Sequence, residues 1–282
     1  MSLDISKALS DGFSRTFERN GLLLMLVFLA FGAVDAVAGQ TLSAAFARFA
    51  RQQLEQLPPG AMAGPAGTAG PAGAFPGAEQ TPLALPLPLP AALVAVLVVA
   101  LVAEAVRIVA VRTLVSDETE RIPESFVSRN IVMATLNGFV GGFVVLILVG
   151  VGLLFLVVPG VFLAISFFFV RQEIAVEDKN FVDALSTSWE LTSGNRLGLF
   201  GLALVLVVIG LVVSAVAGAV GFAGIAILTT AVTTVVGAVT TVFSIAVAAR
   251  AYDQLKYGSV DDEFGGDGVE TDSDGDEWDV QV

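Results

Sequence analysis

Long runs of apolar residues, separated by short charged or glycine-rich segments, make up most of the chain. Runs of about 20 apolar residues have the length that a helix needs to cross the roughly 30 Å hydrocarbon core of a bilayer. The predicted spans are residues 21–39, 91–111, 131–158 and 160–176, followed by two spans within 197–249 that turn near 218–224. The pattern therefore predicts an all-α integral membrane helical bundle with six transmembrane helices, in a membrane domain that covers residues 21–257.

The segment before the first apolar run has an amphipathic pattern. Apolar side chains recur every four positions from Ile5 to Phe17, and Asp4 stands where it can cap a helix N-terminus. We expect residues 1–20 to form an interfacial helix on the cytoplasmic surface of the membrane. The alternative is a secretory signal peptide, because Ala-Val-Ala at 36–38 fits a cleavage site. The long acidic segment before the apolar run argues against that alternative.

This amphipathic pattern recurs later in the chain. Aligning residues 5–20 with residues 181–196 superimposes an Ala-Leu-Ser triplet and places Phe13 on Trp189. A weaker third copy lies at residues 123–130, again just before an apolar run. The alignment predicts three units, each a cytoplasmic amphipathic surface helix followed by a transmembrane hairpin. The alternative is that any amphipathic helix before a span produces such a match.

Two segments outside the predicted spans have unusual compositions. Residues 40–90 include a Pro-, Gly- and Ala-rich stretch that cannot bury a core, so we expect a flexible extracytoplasmic loop, either a variable linker or a partner-binding loop. Ten carboxylates and no basic residue lie between Asp261 and Asp279, which predicts a disordered acidic cytoplasmic tail over residues 258–282. An acidic, lysine-poor chain with a net charge of −13 resembles proteins of halophilic archaea.

The basic residues predict the orientation in the membrane. With a cytoplasmic N-terminus and six spans, twelve of the 14 basic residues fall on the cytoplasmic side, and only Arg48 and Arg51 fall on the other. We therefore expect a multi-pass protein of the cell membrane with both termini in the cytoplasm.

The composition gives little support to catalysis. The chain contains no cysteine and no histidine, which removes thiolate chemistry, the commonest general base and the commonest transition-metal ligand. Ser188, Glu190 and Thr192 lie close in sequence, but no base or oxyanion motif accompanies them. We predict a non-enzymatic protein with no catalytic residues, no cofactor and no metal site.

Charged residues inside predicted spans are functional candidates by default. Glu104 and Arg107 lie three positions apart on one helix face, so they can pair. Together with Arg171 and Glu173 they are expected to lock helices together near the cytoplasmic interface. Asp35 lies about 21 Å from that interface and Arg107 about 6 Å, counting 1.5 Å per residue. On that count Asp35 is too far away to be the counter-ion of Arg107 and meets water at the outer interface, with a proton-relay role as the alternative.

A second group of candidates lies in the second predicted hairpin and in the amphipathic segment that follows it. Pro159 and Gly160 separate two spans and favour a tight reversal. Ser188, Trp189 and Gly194 then form a Ser-Trp-x-Leu-x-x-Gly motif on the amphipathic segment before the next span. Trp189 is expected to anchor that segment in the headgroup zone, with partner docking as the alternative.

These two motifs resemble those of a broad group of bacterial and archaeal membrane proteins. The group includes the membrane domain attached to some glycerophosphoryl diester phosphodiesterases, and the similarity covers residues 136–200. The resemblance implies a membrane fold and no chemistry, because the catalytic domain of those enzymes is a separate soluble α/β barrel.

Two functions of different classes remain open from the sequence. The first is a non-enzymatic scaffold that assists other membrane components through its cytoplasmic surface helices. The alternative is a transporter or channel for a small solute. A scaffold predicts a closed apolar interior with charges at the cytoplasmic rim, whereas a transporter predicts that Asp35, Glu104 and the threonine stripe of 229–241 converge at mid-depth. The expected partners are the lipid bilayer and a membrane protein or a second copy of the chain, with no nucleic acid.

Overall fold

The computed structural model describes residues 3–56 and 81–258, and this part of the chain is helical, with no strand. A single turn of 3-10 helix joins the last two helices. The helices are α1 (Ile5–Phe17), α2 (Arg19–Glu55), α3 (Leu89–Val115), α4 (Glu124–Ser128), α5 (Ile131–Phe155), α6 (Val157–Ser166), α7 (Val170–Glu177), α8 (Phe181–Thr192), α9 (Arg196–Ala219) and α10 (Ala226–Lys256).

Six helical segments of the described chain are long and apolar enough to cross a membrane. They are α2, α3, α5, the combined segment of α6 and α7, α9 with its following 3-10 turn, and α10. The predicted fold class, an all-α bundle of six transmembrane helices, is therefore confirmed. The protein is a multi-pass membrane protein.

Three of the spans pack together as one group within the bundle. Helices α2, α3 and α10 pack against one another, α1 lies against α10, and α5 and α7 pack against α3. We call the end of the bundle where α2 begins and α10 ends the basic end, and the opposite end the far end. Basic residues cluster at the basic end: Arg15, Arg112, Arg129, Arg250 and Lys256.

The reversal between α5 and α6 lies earlier than the sequence predicts. The chain turns at Leu156, which has an extended backbone, and not at Pro159 and Gly160. Pro159 lies in the first turn of α6, where its missing N–H has no partner to lose. Gly160 packs against Gly152, since a Cβ on Gly152 would lie only 2.8 Å from the Cα of Gly160. The Pro-Gly pair therefore shapes the hairpin by close helix packing.

The order of surface helix and hairpin agrees with the proposed repeat. Helix α1 precedes α2 and α3, α4 precedes α5 and α6, and α8 precedes α9 and α10. Asp4 caps α1 as predicted, because its side chain accepts a hydrogen bond from the backbone N–H of Lys7. Phe13 and Phe17 of α1 are more than half exposed, while the opposite face of the helix is buried. That arrangement suits a helix whose aromatic face meets lipid.

About half of the predicted loop, and nearly all of the predicted tail, lie outside the described residues. Helix α2 continues through Gln40 to Glu55, well beyond the predicted first span. The chain before α3 lies against α2, where the N–H of Leu83 donates to Gln40 Oε1 and that of Leu85 donates to Thr41 Oγ1. The rest of the loop, residues 57–80, and the acidic tail from residue 259 onward are outside the described part.

Candidate functional site

A cavity of about 320 Å³ lies between α2, α3 and α10. We call it the central cavity. Its charged and hydroxyl-bearing lining residues are Asp35, Arg107, Thr233, Thr234 and Thr241. All of them belong to segments that qualify as membrane spans. The cavity therefore places two charges and three hydroxyls in a part of the protein that would otherwise be apolar.

Asp35 and Arg107 line the same cavity. The depths counted from the sequence predict that the two side chains lie too far apart to meet. One reason for the difference is that α3 continues to Val115, which places Arg107 eight residues, or about 12 Å, from the end of the helix. The other reason is direction, because side chains lean toward the N-terminus of their helix. Helices α2 and α3 run antiparallel, so Asp35 leans toward the basic end and Arg107 leans toward the far end.

Two of the threonine hydroxyls that line the cavity are hydrogen-bonded to their own helix. Thr233 donates to the carbonyl of Thr229 at 2.9 Å, and Thr234 donates to that of Thr230 at 2.7 Å. Each bond uses the hydroxyl proton and leaves lone pairs on the oxygen. The hydroxyls of Thr233 and Thr234 can therefore act as hydrogen-bond acceptors toward a solute or water.

The cavity is closed toward the basic end by tightly packed apolar side chains of the same three helices. We call this cluster the apolar seal. Its buried members are Leu24, Phe28, Ala110, Leu114, Ala238, Val242, Ala246 and Ala249. Phe28 and Ala238 belong to the seal and also line the cavity. The seal thus forms the floor of the cavity and separates it from the charged groups at the basic end.

Glu104 lies between two arginines beside the cavity. Its side chain is only 5% exposed, and both of its oxygens accept hydrogen bonds from Arg171, at 2.8 and 3.2 Å. Arg107 is a looser partner, with Nη1 3.6 Å from Oε2 of Glu104. The pairing of Glu104 with Arg107 expected from their spacing is therefore present, and Arg171 joins it. The three groups carry a net charge of +1.

Glu173 does not join this group but forms a separate cluster at the basic end. Its side chain is fully buried and accepts hydrogen bonds from Lys179 at 2.6 Å, from Lys256 at 2.8 Å and from the hydroxyl of Tyr252 at 3.0 Å. These donors come from the segment after α7 and from α10. The charge-assisted hydrogen bonds of Glu173 therefore hold α7 and α10 together.

Arg112 and Arg15 were not identified from the sequence. The guanidinium of Arg112 donates to the carbonyls of Ala175, Phe126 and Arg129, at 2.7 to 3.0 Å, and forms an ion pair with Asp178 at 2.8 Å. Its position in the last turn of α3 favours bonds to carbonyls at the end of that helix, but the carbonyls that it bonds belong to α4 with its C-cap and to α7, so no signal in the sequence indicated them.

Arg15 makes similar bonds from the surface helix α1. Its guanidinium donates to the carbonyls of Thr113, Ser116 and Glu118, just where α3 ends. The surface helix is therefore joined to the bundle by a buried cation.

A tyrosine lies at the edge of this basic end. The hydroxyl of Tyr257 donates to Glu177 Oε1 at 3.1 Å. Burial, together with the hydrogen bond to Glu177, raises the pKa of Tyr257 to about 12. The phenol therefore stays protonated at neutral pH and remains a donor.

Ser188 ties the surface helix α8 to the break between α6 and α7. Its hydroxyl accepts from the N–H of Phe169 at 3.2 Å and donates to the carbonyl of Ser166 at 3.1 Å. Thr192 donates to the same carbonyl at 3.3 Å. Ser188 and Thr192 therefore join helices in the described structure, and Glu190 lies exposed on the other face.

Trp189 and Gly194 both lie shortly before the start of α9. The ring of Trp189 packs edge-on against Phe162 with 5.5 Å between centroids, and the guanidinium carbon of Arg196 lies 4.6 Å from the centroid of Trp189. Gly194 has a φ of +87°, a left-handed conformation that glycine adopts without strain. It ends α8 and turns the chain into α9.

Apart from Pro159 and Gly160 in the hairpin of α5 and α6, the candidates lie in three places. Asp35, Glu104, Arg107 and Arg171 come together at or beside the central cavity. Glu173 belongs to the basic end, and the motif around Ser188 and Trp189 belongs to the α8 junction. Among the described residues there is no group of three or more acidic, cysteine or histidine side chains that could hold a metal ion.

Comparison with known proteins gives a family but no function. No curated protein and no solved structure matches the chain. A family model does match, over residues 3–255, and its description is Domain of unknown function (DUF7847). The match covers nearly the whole membrane domain and the surface helix α1. The chain therefore belongs to the DUF7847 family.

Proposed function

We propose that this protein is a transporter for a small polar or charged solute and that the central cavity is its binding chamber. The observation that supports the proposal is the convergence of Asp35, Arg107 and the threonine hydroxyls on one cavity between α2, α3 and α10. Ionisable groups within spans are costly unless they are paired or meet water, and they often mark solute pathways. The apolar seal then acts as the closed gate on one side of the solute.

This proposal reverses the order of the two functions considered from the sequence. A scaffold was expected to keep its charges at the cytoplasmic rim and its interior apolar. Asp35 and Arg107 line a cavity beyond the apolar seal, and Glu104 is buried beside it, so these charges are not confined to the basic end. This arrangement is closer to the one expected of a transporter, in which charged and hydroxyl groups come together within the membrane.

Scaffolding is the second candidate, and a different observation favours it. The buried networks around Glu173, Arg112 and Arg15 join α1, α3, α7 and α10 at the basic end. Such a network would present the surface helices as a rigid platform for another membrane protein or a second copy of the chain. Both candidates are non-enzymatic and need no cofactor.

Orientation forms part of the same proposal. The basic end would lie in the cytoplasm, with both termini there, because basic residues are retained on the cytoplasmic side of membranes. The protein would reside in the cell membrane, and the exposed apolar surface of α5 and α9 would face lipid.

Thiol labelling in intact membranes tests whether the cavity holds water. The chain has no cysteine, so a single introduced thiol is the only one present. Thr233→Cys places it in the central cavity, and Val235→Cys, at nearly the same depth on α10, places it in an apolar groove instead. We expect a charged, membrane-impermeant methanethiosulfonate reagent to modify Thr233→Cys much faster than Val235→Cys. Equal and slow modification of both would overturn the transporter proposal and favour the scaffold.

A further inference from the structure

The central cavity contains one acidic and one basic side chain that do not pair with each other. Asp35 on α2 is exposed to the cavity, and within residues 3–56 and 81–258 no ion pair joins it to a basic group. Arg107 lines the cavity from α3, and its side chain is 43% exposed. An acid and a base that share a cavity without touching leave room for a ligand between them.

Arg107 keeps hydrogen-bonding capacity for such a ligand. Its contact with Glu104 is 3.6 Å, longer than a hydrogen bond, and both oxygens of Glu104 already accept short bonds from Arg171. A guanidinium has five N–H donors arranged in a planar fork that matches a carboxylate. Arg107 is therefore available to bind a carboxylate in the cavity.

The charges around the cavity add to zero. Glu104, Arg107 and Arg171 together carry +1, and Asp35 carries −1. A ligand with a net charge would bring an unbalanced charge into a weakly polar region, which is unfavourable. A ligand with one positive and one negative group satisfies both side chains and leaves the site neutral.

The remaining lining agrees with this ligand chemistry. Thr233 and Thr234 present hydroxyl oxygens that can accept from an ammonium group, since their protons are used within α10. The volume of about 320 Å³ is at the lower end of the range for small-molecule pockets, so the ligand must be small.

We propose that the central cavity binds a small zwitterion, with its ammonium group at Asp35 and its carboxylate at Arg107. The inference rests on the proposed function, because it requires the cavity to admit solute. It adds the chemical class of the solute and assigns one role to each charged side chain.

A series of linear ω-amino acids, from glycine to 6-aminohexanoate, tests this proposal on the full-length chain reconstituted in liposomes. The thiol of Gly237→Cys, at a position that lines the cavity and has room for a side chain, is labelled with and without each compound, and protection from labelling reports binding. Carboxylates and amines of matching length, such as butyrate and butylamine beside 4-aminobutyrate, carry only one of the two charges. Labelling without any ligand tests water access separately, so failure of the proposed function and failure of this inference give different results.

We expect one length of zwitterion to protect best, because its charge separation must match the distance between Asp35 and Arg107. The matching carboxylate and amine should be weaker by about tenfold or more, as each loses one charged hydrogen-bonded contact. Asp35→Asn and Arg107→Gln should weaken protection by a similar factor. Glu190→Gln on α8 and Arg121→Gln, both exposed and far from the cavity, should not.

Two results would overturn the inference while leaving the cavity water-filled. In the first, rapid labelling of Gly237→Cys is unaffected by every zwitterion of the series. In the second, a carboxylate or an amine alone protects as well as the zwitterion of the same length, which would indicate a simple anion or cation site.

Discussion

Both carboxylate oxygens of Glu104 accept hydrogen bonds from Arg171, at 2.8 and 3.2 Å. The bond joins α3 to α7 inside the bundle, where Glu104 is buried and Arg171 is partly exposed. Arg107, one turn further along α3, approaches the same carboxylate only to 3.6 Å. The two arginines therefore differ in role, since Arg171 neutralises Glu104 and Arg107 is directed to the central cavity.

Because the two arginines differ in this way, we expect their substitutions to destabilise the protein unequally. Arg171→Gln should lower the free energy of unfolding by about 2 kcal/mol or more, because it leaves a buried carboxylate without its two short hydrogen bonds. Arg107→Gln should lower it by less than about 1 kcal/mol, as expected for a loose, half-exposed ion pair. Thermal denaturation of the purified variants in detergent measures both changes. Equal losses would contradict the assignment.

The hairpin of α5 and α6 provides a test at the far end. A Cβ on Gly152 would lie 2.8 Å from the Cα and 2.9 Å from the N of Gly160, and backbone atoms cannot move aside easily. Gly152→Ala should therefore destabilise the protein by about 1–3 kcal/mol through overpacking.

Gly150→Ala is the matched control for this hairpin. No atom lies within 4 Å of a Cβ built at Gly150, two residues earlier on α5. Alanine is the better helix former, so this variant should be neutral or slightly stabilising. The melting temperatures of both variants are compared with that of the parent protein. If Gly152→Ala does not lower the melting temperature, the two helices of the hairpin do not pack as closely as the contact between Gly152 and Gly160 indicates.

The junction of α8 with the break after α6 gives a third prediction. Ser188→Ala removes the hydroxyl that bonds the N–H of Phe169 and the carbonyl of Ser166, and leaves the buried N–H unpaired. The expected loss of unfolding free energy is about 1–3 kcal/mol. Ser186→Ala, at an exposed position of the same helix, should change it little. Melting temperature and the rate of protease cleavage within α8 measure the two effects. If both variants change these quantities equally, the hydroxyl of Ser188 does not fix α8 to the bundle.

Much of the architecture could be predicted from the sequence, since apolar run length alone determines where a helix can cross a bilayer. The six spans, the cap at Asp4 and the turn near Gly224 follow from such local patterns. The reversal between α5 and α6 was placed too late because a Pro-Gly pair fits a helix start as well as a helix end. Only the packing of Gly152 against Gly160 distinguishes the two positions.

The candidate site was predictable residue by residue but not as a group. Asp35 and Arg107 were each recognised as intramembrane charges, yet counting residues along each helix kept them apart. The count ignored the extension of α3 to Val115 and the opposite leaning of side chains on antiparallel helices. The buried role of Arg112 depends on carbonyls from two other segments, α4 with its C-cap and α7, which no local pattern reveals.

Access to the cavity floor from both sides of the membrane tests the transporter proposal most directly. Thr241 lines the cavity and adjoins Val242 of the apolar seal. Thr241→Cys should be labelled by an impermeant thiol reagent in right-side-out vesicles and also in inverted vesicles, because a transporter must expose its cavity in turn to each side of the membrane and the seal must open for one of these states. Val235→Cys, in the apolar groove, should stay unlabelled in both. Labelling of Thr241→Cys from one side only, or from neither, would contradict transport through this cavity.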